Sequence, residues 1–521
     1  MQQSNPAPLS RAETVTAVIT VLIAFLARFY ISEATYLNPD EVLHLISAKA
    51  GEYNKIHHPP LLLWWLRAAA QVSTEEWWLR LLPTLCGTFL GLVFGLWLRR
   101  FVAPFVAWSA ALVVAVSPNL VILAPQLRGY TMAMFFMVLA LYLLDLAFER
   151  KSAVLMIGHI VSLMLAALSA FPVAFVILGI GMYALWRFVE WKDVRPLLPV
   201  WALGQVACAG LYVWLYFWIV KPMAAETALN ASMRANYLKG GFLVEGQSVW
   251  MFLAKAIPKQ LVYVMSSVPA GWVATLLMLL GIVYLLRKEP ARLALLVGSF
   301  LIVLAALAGV HPMSATRHTS VIGLIGLVAV AAGHQFLHTL MPRASWLVPV
   351  TLIGLSFVTY RHDPQNVSME IWDKPRWQRA LDGFHRAVKP NDVVLADFEA
   401  GLMVTKDDEL RAAVAKVPRM ESLSERNGLV VYSLLWDWNR YLDHVDVLRD
   451  RIHTLRERYP DRRIWVLDAG FDVWVLRKLK QELGVQPVFE EHNVLFLAAV
   501  PGTGDSINGS DAHLTKTNYQ R

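Results

Sequence analysis

The segment Tyr36–His44, which reads YLNPDEVLH, places two adjacent carboxylates, Asp40 and Glu41, directly behind the first long apolar stretch of the chain. A second polar segment, His57-His58-Pro59-Pro60, follows shortly and leads back into apolar sequence. Ionisable side chains at the edge of a membrane segment are costly to desolvate, and they commonly mark functional sites. These two segments therefore predict where chemistry takes place in this chain.

The composition around them is that of a membrane protein. The chain has 521 residues, is 57% hydrophobic and has a mean hydropathy of +0.47, well above the values of soluble domains. A helix needs about 20 mostly apolar residues to cross the hydrocarbon core, because its backbone groups must be bonded internally there. Apolar windows predict about eleven spans, at roughly residues 14–31, 79–98, 105–123, 130–148, 153–169, 171–188, 196–219, 269–286, 292–310, 317–338 and 345–361. The sequence thus predicts an α-helical polytopic membrane protein.

The basic residues of the short loops predict its orientation. Those that fall on one side if the N-terminus is cytoplasmic are Arg99-Arg100, Arg150-Lys151, Arg187 to Arg195, Arg287-Lys288 and Arg343. With an odd number of spans, the C-terminal region is then outside, in the periplasm of a bacterial cell whose inner membrane holds the protein. Residues 1–361 carry 25 Lys and Arg against 14 Asp and Glu, whereas the remainder carries 22 against 25. The cationic excess suits anionic lipids or a phosphate-bearing substrate, and topology signalling explains part of it.

Three regions are predicted. Residues 1–361 form the membrane domain, with outer loops at 32–78 and 220–268. Residues 362–500 form a soluble α/β domain, with strands at 393–396, 429–435, 464–467 and 494–500 and helices near 377–388, 444–458 and 474–483. Residues 501–521, rich in Gly, Ser and Asn, are predicted to be disordered. Cys86 and Cys208 lie in apolar segments, so no disulfide is implied.

Asp40 is the one aspartate of the membrane domain that this orientation places outside, because Asp145 and Asp193 fall on the cytoplasmic side. Asp40 is therefore a candidate catalytic carboxylate, with Glu41 beside it. A structural explanation is open as well: Asn38 caps a helix that begins at Pro39, and the acids stabilise its first turn. The two interpretations are compatible.

Basic residues on the outer side form the second candidate group: His58 lies in the first outer loop, and the residues at outer ends of spans are Arg80, Arg128, Arg317 and His318. Each alone is typical of a side chain that snorkels to the interface. Together they would surround an outer-leaflet site with guanidinium groups, which match phosphate oxygens. His57 and His58 are not expected to form a metal site, because adjacent side chains point in different directions. The sequence leaves open whether the reaction uses a divalent metal.

These motifs resemble those of the GT-C glycosyltransferases. The acidic pair after the first span, the His-Pro-Pro-Leu step, the Arg80-Leu-Leu-Pro entry to the second span, and Ser117-Pro118 followed by Arg128-Gly129-Tyr130 are similar to the branch that includes protein O-mannosyltransferases and lipid A aminoarabinose transferases. The resemblance covers about residues 10–330 and is strongest up to residue 150. The soluble domain has no match in it.

The resemblance implies a GT-C catalytic domain in which Asp40 is the base and Glu41 its acidic neighbour. It implies that His58, Arg80, Arg128 and Arg317 bind the donor phosphate; His44, His57, Tyr130 and His318 are supporting residues. One departure is that aminoarabinose transferases have Arg three residues after the Asp, whereas this chain has Leu43, followed by His44. Aminoarabinose is therefore not the expected sugar.

The implied reaction is inverting transfer of a monosaccharide from a polyprenyl-phosphate donor to an acceptor hydroxyl of a saccharide, lipid or protein. No cofactor is expected to be required, and no nucleic acid is expected as a partner. Membrane lipids are expected partners. Within glycosyltransferases, an oligosaccharide polymerase or ligase is the nearest alternative. A lipid-linked sugar flippase would also need outer arginines, but it would carry ionisable residues at mid-membrane and broken helices in related halves. An envelope assembly protein without catalysis is the third alternative.

Overall fold

The computed structural model describes residues 8–35, 37, 39–51, 53, 58–222, 241–244, 246–313, 317–360, 392–397, 422–426, 429–434, 444–468, 486–491 and 495–500. The chain divides into two compact units, one from residues 1–33 and 51–363 and the other from residues 34–50 and 364–521. The predicted loops, the helices at 377–388 and 474–483, and the tail at 501–521 lie wholly or partly outside the described residues.

The first unit is helical. Its helices are α1 (Arg11–Ala34), α3 (Leu61–Ala69), α4 (Glu76–Leu79), α5 (Leu81–Leu98), α6 (Pro104–Val116), α7 (Pro118–Leu123), α8 (Tyr130–Arg150), α9 (Ala153–Ala167), α10 (Val173–Glu190), α11 (Leu198–Leu215), α12 (Val249–Met265), α13 (Val268–Lys288), α14 (Val297–Leu307), α15 (Ser320–Leu340) and α16 (Leu347–Tyr360). Short 3-10 turns precede α11, α14 and α15, at Lys192–Leu197, Pro290–Leu296 and Arg317–Thr319. The helix α2 (Pro39–Ala50) belongs to the other unit.

Among the described residues, 8 helices are long and apolar enough to cross a membrane, and three shorter apolar helices accompany them at Pro104–Val116, Ala153–Ala167 and Leu347–Val358. The predicted polytopic membrane architecture is therefore confirmed, with 8 described helices that meet the length of a span. Small residues allow the closely packed helices α13 and α15 to approach each other. A methyl group at Gly333 would stand 1.9 Å from the Leu277 carbonyl oxygen, and one at Gly281 would stand 1.7 Å from that of Ala329.

A buried charge network joins helix ends on one side of this unit. Asp145 of α8 accepts from Arg292 Nη1 at 3.0 Å and from Trp97 Nε1 at 3.0 Å, and Tyr183 donates to its other oxygen. Arg187 of α10 pairs with Glu289 at 2.8 Å. Asp145 lies 15 residues beyond Tyr130 in α8, which is about 22 Å along the helix. The network thus ties α5, α8 and α10 to the turn before α14, far from the other end of α8.

The second unit contains a six-stranded sheet in its described part. The strands are β1 (Val393–Asp397), β2 (Ser422–Arg426), β3 (Leu429–Leu434), β4 (Ile464–Asp468), β5 (Gln486–Glu491) and β6 (Leu495–Val500), in the order β2-β3-β1-β4-β6-β5. β1 runs parallel to β3 and β4, while the outer pairs are antiparallel. The helix α17 (His444–Arg458) separates β3 from β4. The predicted α/β domain is confirmed, and β2 and β5 are strands that the sequence did not predict.

Candidate functional site

The turn Arg128-Gly129-Tyr130 is packed against the connection between α9 and α10. A methyl group at Gly129 would stand 1.9 Å from the Ser169 carbonyl oxygen, so the two backbones are in direct contact. Arg128 and Tyr130 are both buried, on either side of this glycine. The glycine therefore allows the turn to place both side chains at the N-terminal end of α8.

The segment that carries His58 reaches the same connection. The Leu61 amide, the first of α3, donates to the Leu168 carbonyl at 3.0 Å. Pro59 and Pro60, which have no amide hydrogen to leave unbonded, precede it and are buried. His58 is consequently brought next to the turn that carries Arg128.

The chain before α15 completes a basic cluster. Tyr130 Oη lies 2.8 Å from His318 Nδ1, and the two rings meet edge to face with centroids 5.6 Å apart. Four neighbouring groups act electrostatically on the His318 imidazole, namely Arg317, His311, Arg128 and His58. We call these residues the basic cluster: His58, Arg128, Tyr130, His311, Arg317 and His318. They come from four separate parts of the sequence and meet at one end of the helical unit.

His311 is a member that the sequence did not predict as a site residue. Its ring meets Phe175 at a centroid distance of 5.6 Å, and its Nδ1 donates to the Pro312 carbonyl at 3.0 Å. Burial lowers the pKa of His311 below its ordinary 6.5, against an opposing effect of that carbonyl. The ring is therefore neutral at pH 7, with Nε2 as its acceptor nitrogen. The dipeptide His311-Pro312, six residues before Arg317, was the available signal.

Arg80 lies where α1 and α5 meet. Its Nη1 donates to the Ser32 carbonyl at 3.0 Å, and its side chain is buried. Two indoles hold the preceding helices together: Trp65 Nε1 donates to the Leu79 carbonyl at 2.8 Å, and Trp78 Nε1 donates to that of Ala69 at 3.0 Å. Arg80 is thus fixed to the C-terminal end of the first span, directly before the acidic segment in the sequence.

The acidic segment forms α2, which begins at Pro39 as the capping pattern predicts. Glu41 and His44 are both buried and lie three residues apart, on one face of this helix. The side chain of Asp40, and His57 as a whole, lie outside the described residues. That the acidic pair meets the basic cluster stays a prediction.

The described part of the chain contains no group of three or more His, Cys, Asp or Glu side chains arranged to hold a metal ion. Cys86 and Cys208 are buried free thiols there.

Solved structures share this architecture over nearly the whole chain. The apo structure of ArnT from Cupriavidus metallidurans matches with a TM-score of 0.52 at 14% identity, covering 94% of this chain and 98% of ArnT. ArnT bound to undecaprenyl phosphate matches with a TM-score of 0.51 at 12% identity, covering 95% and 99%. ArnT and the oligosaccharyltransferase described next are both GT-C fold glycosyltransferases. The chain has a GT-C fold.

The GT-C fold is also that of the Archaeoglobus fulgidus oligosaccharyltransferase in complex with Zn and sulfate, which matches with a TM-score of 0.51 at 14% identity over 90% of this chain and 68% of the other. No protein-family model and no curated protein sequence matches the chain. At these identities the likeness establishes the GT-C fold alone.

Proposed function

We propose that this protein is an inverting membrane glycosyltransferase, which transfers a monosaccharide from a polyprenyl-phosphate donor to an acceptor hydroxyl at the outer face of the membrane. The basic cluster in a GT-C fold carries the proposal. Arg128, Arg317 and His58 all lie close enough to His318 to act on it electrostatically, at a helix end where a lipid-linked phosphate would lie with its chain in the bilayer. A structural neighbour, ArnT, has been crystallised with undecaprenyl phosphate.

In the proposed mechanism Asp40 accepts the proton of the acceptor hydroxyl as that oxygen attacks the anomeric carbon. The glycosidic bond to phosphate breaks on the opposite face, so the configuration inverts. Arg128 and Arg317, with Arg80 and His58, stabilise the charge that develops on the departing phosphate. Glu41 and His44, both buried in α2, support Asp40, and Tyr130 and His318 hold each other in place within the basic cluster.

We also propose the inner membrane as the location, with a cytoplasmic N-terminus and a periplasmic C-terminal domain. The helix ends that carry Arg100, Arg187 and Arg292 are joined on one side of the helical unit, as basic cytoplasmic ends would be. The basic cluster lies at the other end of α8 and would face the periplasm. The mechanism requires no metal, and the sugar and the acceptor are the parts of the proposal that an assay must identify.

The test measures release of free undecaprenyl phosphate from undecaprenyl-phosphate monosaccharides, each radiolabelled in the lipid, by membranes that contain equal amounts of wild type or Asp40→Asn. We expect turnover by wild type to fall at least about a hundredfold in Asp40→Asn, as when a general base is removed. Glu75→Gln, which changes an exposed carboxylate at the start of α4, is the matched control and should turn over like wild type.

Equal turnover by wild type and Asp40→Asn would refute the role of Asp40. Absence of turnover by wild type with every sugar tested would refute the glycosyltransferase, and it would favour transport or assembly instead.

A further inference from the structure

Arg28, a buried arginine in the first span, has no part in the mechanism proposed above. Arg28 of α1 has 0% of its surface exposed. Its Nη1 donates to the Ala115 carbonyl at 2.7 Å and to the Ala24 carbonyl at 3.2 Å, and its Nη2 donates to that of Val114 at 3.3 Å. A charged group at this depth is expensive, so its contacts require an explanation.

The explanation lies in the break between α6 and α7. In a continuous helix, the Val114 and Ala115 carbonyls would accept from the amides of residues 118 and 119. Residue 118 is proline and has no amide hydrogen, while the Asn119 amide donates instead to Ser266 Oγ at 2.8 Å. Arg28 donates to both carbonyls that the break leaves without a helical partner. A planar guanidinium suits this task because its two Nη atoms reach adjacent acceptors at once.

The other side of the break is held by the end of α12. Ser117 Oγ donates to the Val264 carbonyl, and Asn119 Nδ2 donates to that of Tyr263 at 3.0 Å. The start of α7 is therefore fixed between Arg28 on α1 and the last turn of α12. From this point the chain runs through α7 directly to Arg128 and Tyr130.

Arg28 also adjoins the far end of that segment. A methyl group at Gly87 of α5 would stand 2.5 Å from Ala124 Cβ, 3.0 Å from Arg28 Nε and 3.1 Å from Thr131 Cγ2, so the guanidinium, the end of α7 and the first turn of α8 pack at the same glycine. Arg28 contacts the chain just before residue 117 and borders it again at residue 131. The residues between include Arg128 and Tyr130 of the basic cluster.

We propose that Arg28 is a positioning residue for the donor-phosphate site, which holds the two ends of the segment 115–131 so that Arg128 and Tyr130 meet His318. This inference rests on the proposed function, since it assigns Arg28 to the same site. Arg28 acts through Arg128 and touches no substrate.

The experiment titrates undecaprenyl phosphate onto the purified full-length protein in detergent micelles and records thermal melting of each variant in parallel. Arg28→Met should bind about tenfold more weakly than wild type, per folded protein, because Arg128 is displaced. Arg28→Lys should also weaken binding severalfold, since an ammonium keeps the charge but not the two-pronged geometry. The control is Arg292→Met, an equally buried arginine at the opposite helix ends, which should melt earlier yet bind like wild type.

A second variant covers the case in which Arg28→Met does not fold. Gly87→Ala keeps Arg28 but adds a methyl group 2.5 Å from Ala124 Cβ and 3.0 Å from Arg28 Nε, so it displaces the guanidinium and the segment 115–131 relative to each other and should weaken binding severalfold. Gly210→Ala, with open space around it, should not. Wild-type affinity in folded Arg28→Lys, or in folded Gly87→Ala, would overturn the positioning role. Failure of wild type itself to bind undecaprenyl phosphate would instead overturn the proposed function and this inference with it.

Discussion

At the scale of single residues, the site depends on where backbones and rings touch. Arg128-Gly129-Tyr130 was recognisable in the sequence, but its contacts with Ser169 and His318 were not, because these residues are distant in the chain. Of the residues predicted to bind phosphate, His58, Arg128 and Arg317 lie around His318 in the basic cluster. Arg80 instead donates a hydrogen bond to the Ser32 carbonyl at the end of the first span. His311 joins the cluster although no motif singled it out.

Gly129→Ala should disrupt the cluster without changing any of its side chains. The added methyl group would stand 1.9 Å from the Ser169 carbonyl oxygen, so the turn must move. We expect a loss of about 1–3 kcal/mol in the free energy of unfolding, typical of overpacking, and weaker binding of undecaprenyl phosphate. Melting and titration of the purified variant measure the two effects.

Gly181→Ala in α10 is the matched control, because a methyl group there meets no atom within 4 Å. It should melt no earlier than wild type and should bind equally well. A Gly129→Ala variant that behaves in the same way would contradict the close packing of the turn.

At the scale of elements, buried ion pairs join the helix ends that lie opposite the basic cluster. Asp145 was predicted to lie on the cytoplasmic side, and its carboxylate is only 5% exposed beside Arg292, which is 1% exposed. Arg100 approaches the same carboxylate at 4.0 Å. Removal of one member of such a group leaves buried opposite charge without compensation, which is costly.

Asp145→Asn should therefore destabilise the helical unit by about 3–5 kcal/mol, seen as a clear fall in melting temperature in detergent. Asp193→Asn is the matched control, because its pair with Lys151 at 2.9 Å is more than half exposed and screened by water. We expect no measurable change for the control. Similar melting of both variants would show that the buried network does not stabilise the helix ends.

At the scale of the whole molecule, the arrangement of spans agrees with the hydropathy pattern. The predicted spans coincide with apolar helices, except that the break at Ser117-Pro118 divides 105–123 into α6 and α7. The helix ends that carry the basic loop residues are joined by ion pairs such as Arg187 with Glu289. In the sheet of the second unit, the four predicted strands are present. The two that were missed, β2 and β5, are the edge strands, which carry polar residues and, in β5, a proline.

The proposed orientation can be measured by labelling single cysteines with a membrane-impermeant maleimide after Cys86 and Cys208 have been replaced by alanine. Lys151→Cys should be protected in intact spheroplasts and labelled only after permeabilisation, because the basic loop is expected to be cytoplasmic. Thr74→Cys, exposed between α3 and α4, should be labelled in the same intact spheroplasts. The reverse pattern would contradict a cytoplasmic N-terminus.

The sequence by itself determined the features that depend on neighbouring residues. A bilayer demands about 20 apolar residues in a row, so the spans could be located without any knowledge of their packing. The start of α2 at Pro39, the strands β1, β3, β4 and β6, and the helix α17 are equally local. The same holds for the choice of Asp40 and the outer basic residues as candidates.

Only the tertiary structure decided which of these residues meet. Tyr130 and His318 are 188 positions apart, and Arg28 lies 87 positions from the Ala115 carbonyl that it serves. Such contacts depend on how helices pack. Small residues like Gly87 and Gly129 permit this close packing, but the local periodicity of the sequence does not show which helices will pack together. For that reason no sequence pattern indicated a role for Arg28, and only the fold shows it as the partner of the break at Pro118.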